Sequence, residues 1–230
     1  SLPTAVYDTV IRHDGVFFQT SRVSGDNIVD VNTPQMFQLR REVGDFFDFR
    51  MTSILAANGI KHRRGIILHG EPGCGKTSMV RSLVPYIIEH DAIVLRDPAI
   101  GYLESTFIPL IRHSDPGRYV VALLDDFDRQ GGLYSLVRLM DGLDSPDHIM
   151  IICTTNYIKK IPDQIKSRPS RFGLIMEVPR LNKIDRMRFA QSKFPSIEDS
   201  DLDMLVEMTI GDRLDHLNEV CKLFLMGYSR

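Results

Sequence analysis

Five short apolar runs, rich in β-branched residues, punctuate the middle of the chain: GIILH from Gly65, AIVLRD from Ala92, YVVALLDD from Tyr119, IMIICTTN from Ile149 and GLIMEVP from Gly173. The segments between them are long enough for helices. Continuous apolar strands alternating with helices predict a parallel sheet covered on both faces, a doubly wound α/β domain. Before it, TAVYDTVIRH and GVFFQTSRV flank Asp14-Gly15, a hairpin signal, and NIVDV follows the turn residues Gly25-Asp26-Asn27. These short β runs predict either a small β appendage or an edge extension of the main sheet. Asn32-Thr33-Pro34 reads as a helix start, and MFQLRREVGDFFDFRMTSILAAN as its helix, ending at Asn58-Gly59, with Gly44 a candidate kink. From about Leu181 the strand signal stops. KIDRMRFAQSKF, DSDLDMLVEMT and RLDHLNEVCKLFLMGY carry helical spacing and predict a small helical lid. The expected division is residues 1–31 as a β-rich N-terminal extension, 32–180 as the α/β domain and 181–230 as the lid.

Between the first core strand and the next helix lies Gly70-Glu71-Pro72-Gly73-Cys74-Gly75-Lys76-Thr77-Ser78, which satisfies G-x-x-x-x-G-K-[ST] in the right context. The glycines let successive N–H groups converge, and the helix beginning near Lys76 aims its positive end at the same point. Lys76 is expected to reach the outer phosphates of a nucleotide and the Thr77 hydroxyl to ligate Mg²⁺. About fifty residues on, YVVALLDDFDR ends a buried strand in Asp125-Asp126. Two carboxylates in succession repel each other, and a cation relieves the cost, which argues for Mg²⁺. Asp125 is the metal carboxylate in this reading, and Asp126 orients or deprotonates an attacking water. Asp128 reads as a structural or supporting residue.

The stretch IMIICTTNYIKKIPDQIKSRPSRFGLIMEVP completes a third motif, with Asn156 ending an apolar strand, then Asp163, then Arg168 and Arg171. It resembles the second region of homology of the AAA ATPases, and the resemblance spans roughly residues 35 to 225. RRGIILHGEPGCGKTS and LVRLMDGL look most like the branch containing the mitochondrial Rieske-protein translocase. The resemblance implies a P-loop NTPase fold, with ATP and Mg²⁺ as cofactors and a self-assembled ring, six subunits being the family expectation. It implies that Asn156 is a polar sensor of the attacking water or γ-phosphate, and that Arg168 and Arg171 are arginine fingers reaching a neighbour's site. An intrachain salt bridge is the other reading for either arginine. Most relatives carry glutamate where Asp126 stands, Ser170 replaces the usual glycine, and Gly173 stands where aspartate is common. Tyr102, in Ile100-Gly101-Tyr102-Leu103, falls where relatives place a pore loop, or is an ordinary helix-start residue. Arg213 falls near a sensor arginine of some relatives. Ile60, before the first core strand, is expected to contact the adenine base.

Composition narrows the partners. Net charge is −2 and the pI about 6.4, so whole-molecule electrostatics give no case for nucleic acid. Lys61-His62-Arg63-Arg64 is the densest basic cluster, either a local patch or a solvated turn. Cys74, Cys153 and Cys221 have neither disulfide nor metal-ligand spacing, and free thiols in a reducing compartment are expected. No stretch is long and apolar enough to span a bilayer and the first residues do not read as a signal peptide, so a cytoplasmic location is expected. The leading expectation is Mg-dependent ATP hydrolysis by an AAA ring that remodels or translocates a protein client. A slow or non-hydrolysing ATP-gated assembly switch, and a nucleic-acid ATPase of helicase-loader type, are the alternatives.

Overall fold

The computed structural model describes residues 2–21, 33–131, 133–141, 146–167 and 172–227. In chain order the elements are β1 (Val6–Arg12), β2 (Gly15–Ser21), α1 (Pro34–Phe47), α2 (Phe49–Ala57), β3 (Arg63–His69), α3 (Lys76–Ser82), α4 (Val84–Glu89) and β4 (Ile93–Arg96). Next come α5 (Ile100–Tyr102), a π-helical turn (Leu103–Phe107), α6 (Ile108–Ser114), β5 (Val120–Leu124), α7 (Leu133–Asp141), β6 (Ile149–Thr155), α8 (Asp163–Lys166) and β7 (Phe172–Glu177). The chain ends in α9 (Lys183–Lys193), α10 (Asp199–Met208) and α11 (Leu214–Leu225).

Among the described residues one sheet runs in the order β2-β1-β4-β5-β6-β3-β7, parallel except for the β1–β2 hairpin. Alternate strand residues feed two separate cores. Ile67, Leu95, Ala122 and Ile151 pack under α5 to α8, while Ile66, Leu68, Val121 and Ile152 pack under α1, α3 and α4. Each fully buried Val, Leu or Ile contributes ~1.5–3 kcal/mol, more than the ~1 kcal/mol range of β-propensity, so burial on both faces fixes these strands. A third core, built on Phe189, Leu202, Val206 and Leu217, holds the three lid helices together.

The hairpin is the edge extension, one of the two options open to the sequence. β1 pairs in parallel with β4 over Val6 to Asp8, and Tyr7 is fully buried with its hydroxyl donating to the Pro3 carbonyl at 2.8 Å. NIVDV lies outside the described residues. The predicted long helix is two helices, and the break is not at Gly44, whose missing Cβ faces the Tyr86 hydroxyl. Asp48 makes the break: it ends α1 in an extended conformation and caps α2 by accepting from the Arg50 N–H at 2.8 Å. Thr33 caps α1 in the same way, from Met36 N–H at 3.2 Å, with Pro34 in the first turn.

Below the sheet, at the ends where the parallel strands begin, His62 and His148 meet edge to face with ring centroids 5.6 Å apart. Phe46 lies 4.4 Å from the His62 ring, and Thr52 Oγ1 joins His62 Nδ1 at 3.3 Å to the Tyr119 hydroxyl at 3.1 Å. Asp147 accepts from the backbone N–H of both histidines. Burial holds both imidazoles below their ordinary pKa; the neighbouring His148 adds to this at His62 and Arg112 at His148, against the opposing Asp147 charge. In the unfolded chain each titrates near the ordinary ~6.5. The unfolded state therefore binds more protons once the pH falls below that value, and stability drops. The dependence of Tm on pH below neutrality should be shallower in His62→Phe than in the unmodified chain, whatever the offset in absolute Tm; parallel curves from calorimetry would refute this.

Candidate active site

The carboxyl ends of β3, β5 and β6 lie side by side, and β3 is flanked by β6 and β7, so the loop after β3 opens at the crevice where such folds place ligands. This loop is Gly70 to Gly75. Gly70 cannot be replaced without movement, because a Cβ would stand 2.3 Å from the Val178 carbonyl oxygen, which β7 carries alongside. Gly75 caps α3 at φ +97°, in the left-handed region that favours glycine.

Lys76 is 6% exposed, and its ammonium donates to the carbonyls of Gly70 at 2.9 Å and Glu71 at 2.8 Å and to Asn156 Oδ1 at 2.8 Å. Asn156 passes the contact on, its Nδ2 donating to Asp126 Oδ1 at 2.8 Å. A second chain starts one residue later. Thr77 Oγ1 lies 2.9 and 3.0 Å from the two oxygens of Asp125, which also accepts from the Thr154 hydroxyl. The Thr154 hydroxyl in turn accepts from the Asp126 N–H at 3.1 Å. Asp126 sits at φ +44° and lies 3.5 Å from Arg129. The sequence-predicted Lys76, Thr77, Asp125, Asp126 and Asn156 are thus brought into one cluster. Hydroxyl and carboxylate oxygens side by side on Thr77 and Asp125 form a hard donor set that suits Mg²⁺, with room for its waters in the adjoining ≈ 210 Å³ cavity that both residues line.

On the other side of the loop a second cavity of ≈ 210 Å³ opens between α1, α3 and the lid, with Pro34, Met36, Met79, Val178, Leu181 and Phe189 among its lining. Cys74, Gly75 and Ser78 face it from the loop side. Ile60 does not line this cavity. It is 55% exposed, and its N–H closes the end of α2 on the Leu55 carbonyl. The physical reason is strand polarity: Ile60 precedes β3, whose seven residues at ~3.3 Å each separate it by roughly 20 Å from the phosphate loop.

The lid touches the loop directly. Leu214 N–H donates to the Gly73 carbonyl at 3.0 Å, and a Cβ on Gly73 would stand 2.9 Å from that of Arg213. Arg180 pairs with Glu71 at 2.5 Å and donates to the Gly211 carbonyl. Arg186, buried in the lid, donates to the carbonyls of Thr209 at 2.7 Å and Asp212 at 2.9 Å, so it fixes the turn that presents Arg213. Arg168 and Arg171 lie outside the described residues. Tyr102 is 45% exposed beside the π-helical turn, its ring tilted against Phe107 at 6.2 Å. Asp128 is buried and accepts from Thr155 Oγ1 at 2.5 Å, the supporting position expected for it. The basic cluster is no continuous patch: His62 is buried and Arg64 pairs with Glu42. All three cysteines are buried free thiols, and no metal-ligating group of histidines, cysteines and carboxylates occurs among the described residues. Among the same residues no helix is long and apolar enough to cross a membrane.

Sequence reading missed Thr154, Asp97, Arg180 and Arg186. Thr154 was within reach, as the polar residue two places before Asn156 on a buried strand; the arginines carry no local signal. Asp97 directly follows β4 at φ +42°, an exposed residue beside Asp125, and partial desolvation of its carboxyl raises the pKa despite the hydrogen bond it accepts from the Asp125 N–H.

A phosphate-binding loop at the switch point of a doubly wound sheet, with an acidic strand end and a polar strand end beside it, defines the P-loop NTPase fold. The chain belongs to the ATPase family associated with various cellular activities (AAA), whose profile matches residues 66–180, half the chain. It is similar to Protein SAV of Sulfolobus acidocaldarius, 25% identical over 83% of this chain and 26% of that protein. The proteasome-activating nucleotidase of Thermococcus onnurineus is 27% identical over 66% of this chain and 44% of the relative. The probable mitochondrial chaperone bcs1 of Schizosaccharomyces pombe is 29% identical over 66% and 36%. The chain therefore spans less than half the length of each of these relatives, and the narrow range of identities singles out no branch among them.

Replacing Gly70 with alanine should destabilise the fold by about 1–3 kcal/mol, the usual cost of overpacking, because the obstructing atom is a strand carbonyl. Denaturant titration checks this, and an unchanged midpoint would contradict the close approach of β7 to the loop.

Proposed function

We propose that this chain is the motor portion of an AAA ring that hydrolyses ATP in the presence of Mg²⁺ and uses the cycle to remodel or translocate a protein client. The observation that carries the reading is the pair of chains Lys76–Asn156–Asp126 and Thr77–Asp125–Thr154, which gathers a cation, two carboxylates, an amide and two hydroxyls at one strand-end cluster. ATP would lie along the loop with its phosphates on the N–H groups before α3 and its base in the apolar cavity between α1 and the lid. Lys76 would exchange its two carbonyl contacts for the outer phosphates. Mg²⁺, when bound, would neutralise charge on those phosphates, and Thr77 and Asp125 are the residues that would hold it.

Asp126 is the acceptor for a proton of the attacking water. Its left-handed backbone and the Asn156 amide aim the carboxylate toward the phosphate loop, so Asn156 couples the base to the lysine that grips the phosphates. Arg168 and Arg171 would complete the site from a neighbouring subunit, as the family resemblance suggests, with guanidinium donors for developing charge. Arg213 and Leu214 rest on Gly73, so a phosphate-dependent shift of the loop would be felt by the lid. The proteasome-activating nucleotidase and the mitochondrial chaperone among the relatives favour a protein client and a homo-oligomer, with six subunits the expectation.

Two outcomes are expected. Lys76→Ala should abolish binding of a fluorescent ATP analogue, and retained affinity would remove the loop assignment. Asp126→Asn should bind ATP normally but hydrolyse it about 10²–10⁴-fold more slowly, the range for loss of a general base. If the unmodified chain is no faster than Asp126→Asn while still assembling with ATP in sedimentation, the ATP-gated switch replaces the motor.

A further inference from the structure

Asp97 lies at the point where β4 stops and the chain turns toward α5. Its N–H makes the last ladder bond to β5, donating to the Leu123 carbonyl at 2.8 Å. In a continued parallel ladder the carbonyl of the same residue would next accept from Asp125 N–H, two residues further along β5. At φ +42° the backbone turns away. The Asp97 side chain takes over the bond, Oδ1 accepting from the Asp125 N–H at 2.7 Å. A carboxylate thus stands in for a backbone carbonyl, at the residue whose own carboxylate faces Thr77 and Thr154.

The replacement is specific. Aspartate is among the few non-glycine residues that enter left-handed backbone, as Asp91 and Asp126 also do here, but a fold that needed only a turn at this point would be served equally by glycine. What glycine lacks is the acceptor. Asp97, Thr77, Asp125 and Thr154 line one cavity with Arg81 and Arg96, whose charges attract the added carboxylate and act against its repulsion from Asp125. Asp125 is consequently held at its N–H and at its carboxylate, and neither end can rotate independently.

We propose that Asp97 is a positioning residue of the magnesium–nucleotide site, clamping the Asp125 backbone so that its carboxylate meets the metal beside Thr77. The inference rests on the Mg·ATP reading above and adds to it the residue that fixes metal geometry from outside the phosphate loop and the acidic strand.

The test is a Mg²⁺ titration of the whole chain with a fluorescent ADP analogue, alongside the affinity for that analogue in EDTA. Asp97→Ala should raise the Mg²⁺ midpoint about tenfold or more, the lower end for losing a partner behind a metal ligand, while the EDTA affinity stays within about twofold. Asp97→Asn keeps an oxygen acceptor and should stay within about threefold of the unmodified midpoint. Asp97→Gly suits the left-handed backbone, lacks the acceptor and should match alanine, which separates the clamp from a folding defect. An unchanged midpoint in alanine and glycine overturns the clamp. So does an asparagine variant as impaired as alanine, or an equal loss in EDTA. If the unmodified chain binds the analogue with no Mg²⁺ dependence at all, the metal reading itself falls, a result distinct from the other three.

Discussion

The ammonium of Lys76 is the charge around which the site is organised. It is nearly buried, and a buried cation is tolerated only where oxygens surround it. Two come from the carbonyls that the phosphate loop turns inward, and the third from Asn156 at the end of β6. Satisfying that one cation ties the loop to the next strand over. Through the Asn156 amide it also orients Asp126 at the end of β5. The parallel sheet makes this possible because it delivers the ends of β3, β5 and β6 to one rim with their registers locked, Leu68 opposite Thr154 and Leu124 opposite Cys153. A slip of one residue in either pairing would turn these side chains into the opposite core, so two-sided burial of the strands is also what holds the polar network in place.

The lid meets this network through both backbone and side chains, since Arg213 and Asp215 crowd Gly73 and Arg180 joins Glu71 to Gly211. Leu214 N–H on the Gly73 carbonyl is a single hydrogen bond, and a typical one contributes ~0.5–1.5 kcal/mol. That is small beside the lid's own core of Phe189, Leu202, Val206 and Leu217. The lid is thus firm in itself, so that a change at the loop would move it as a body instead of unravelling it. Arg186 serves the firmness, since its guanidinium closes the turn before α11 from within. Arg180 serves the attachment, bridging Glu71 of the loop to Gly211 of the lid.

What the sequence makes legible follows from how local each signal is. The five core strands, the hairpin and the lid helices are carried by patterns within one element, and all of them form. The phosphate loop and the acidic strand end are equally local, and the structure brings them together. Ile60 lies away from the cavity because its placement depends on which end of β3 adjoins it, a relation between elements that a linear motif does not encode. The helix break falls elsewhere for a different reason. Glycine weakens a helix by about 1 kcal/mol, which packing overrides at Gly44, whereas Asp48 offers α2 a side-chain cap and the chain breaks there. Asp97, Arg180 and Arg186 act across tens of residues and leave no trace in their own neighbourhoods.

The N-terminal hairpin, an addition outside the motifs, is nonetheless within two residues of Asp97. Asp8 on β1 pairs with Arg96 on β4 through two contacts of 2.8 Å, and Arg96 precedes Asp97. The ion pair is largely solvent-exposed, and such pairs contribute ~0–1 kcal/mol. The mechanical link is instead the parallel register of Val6, Tyr7 and Asp8 on Val94, Leu95 and Arg96, backed by the buried Tyr7 ring and by Phe18 packed edge-on against it and Phe107. A strand added there removes an open edge beside β4 and fixes the end of that strand, which is where the backbone must turn to free the Asp97 carboxylate for Asp125. The hairpin therefore bears on the geometry around Asp125 through the rigidity of this pairing, and its Val6 lines the same cavity as Thr77, Asp97 and Asp125.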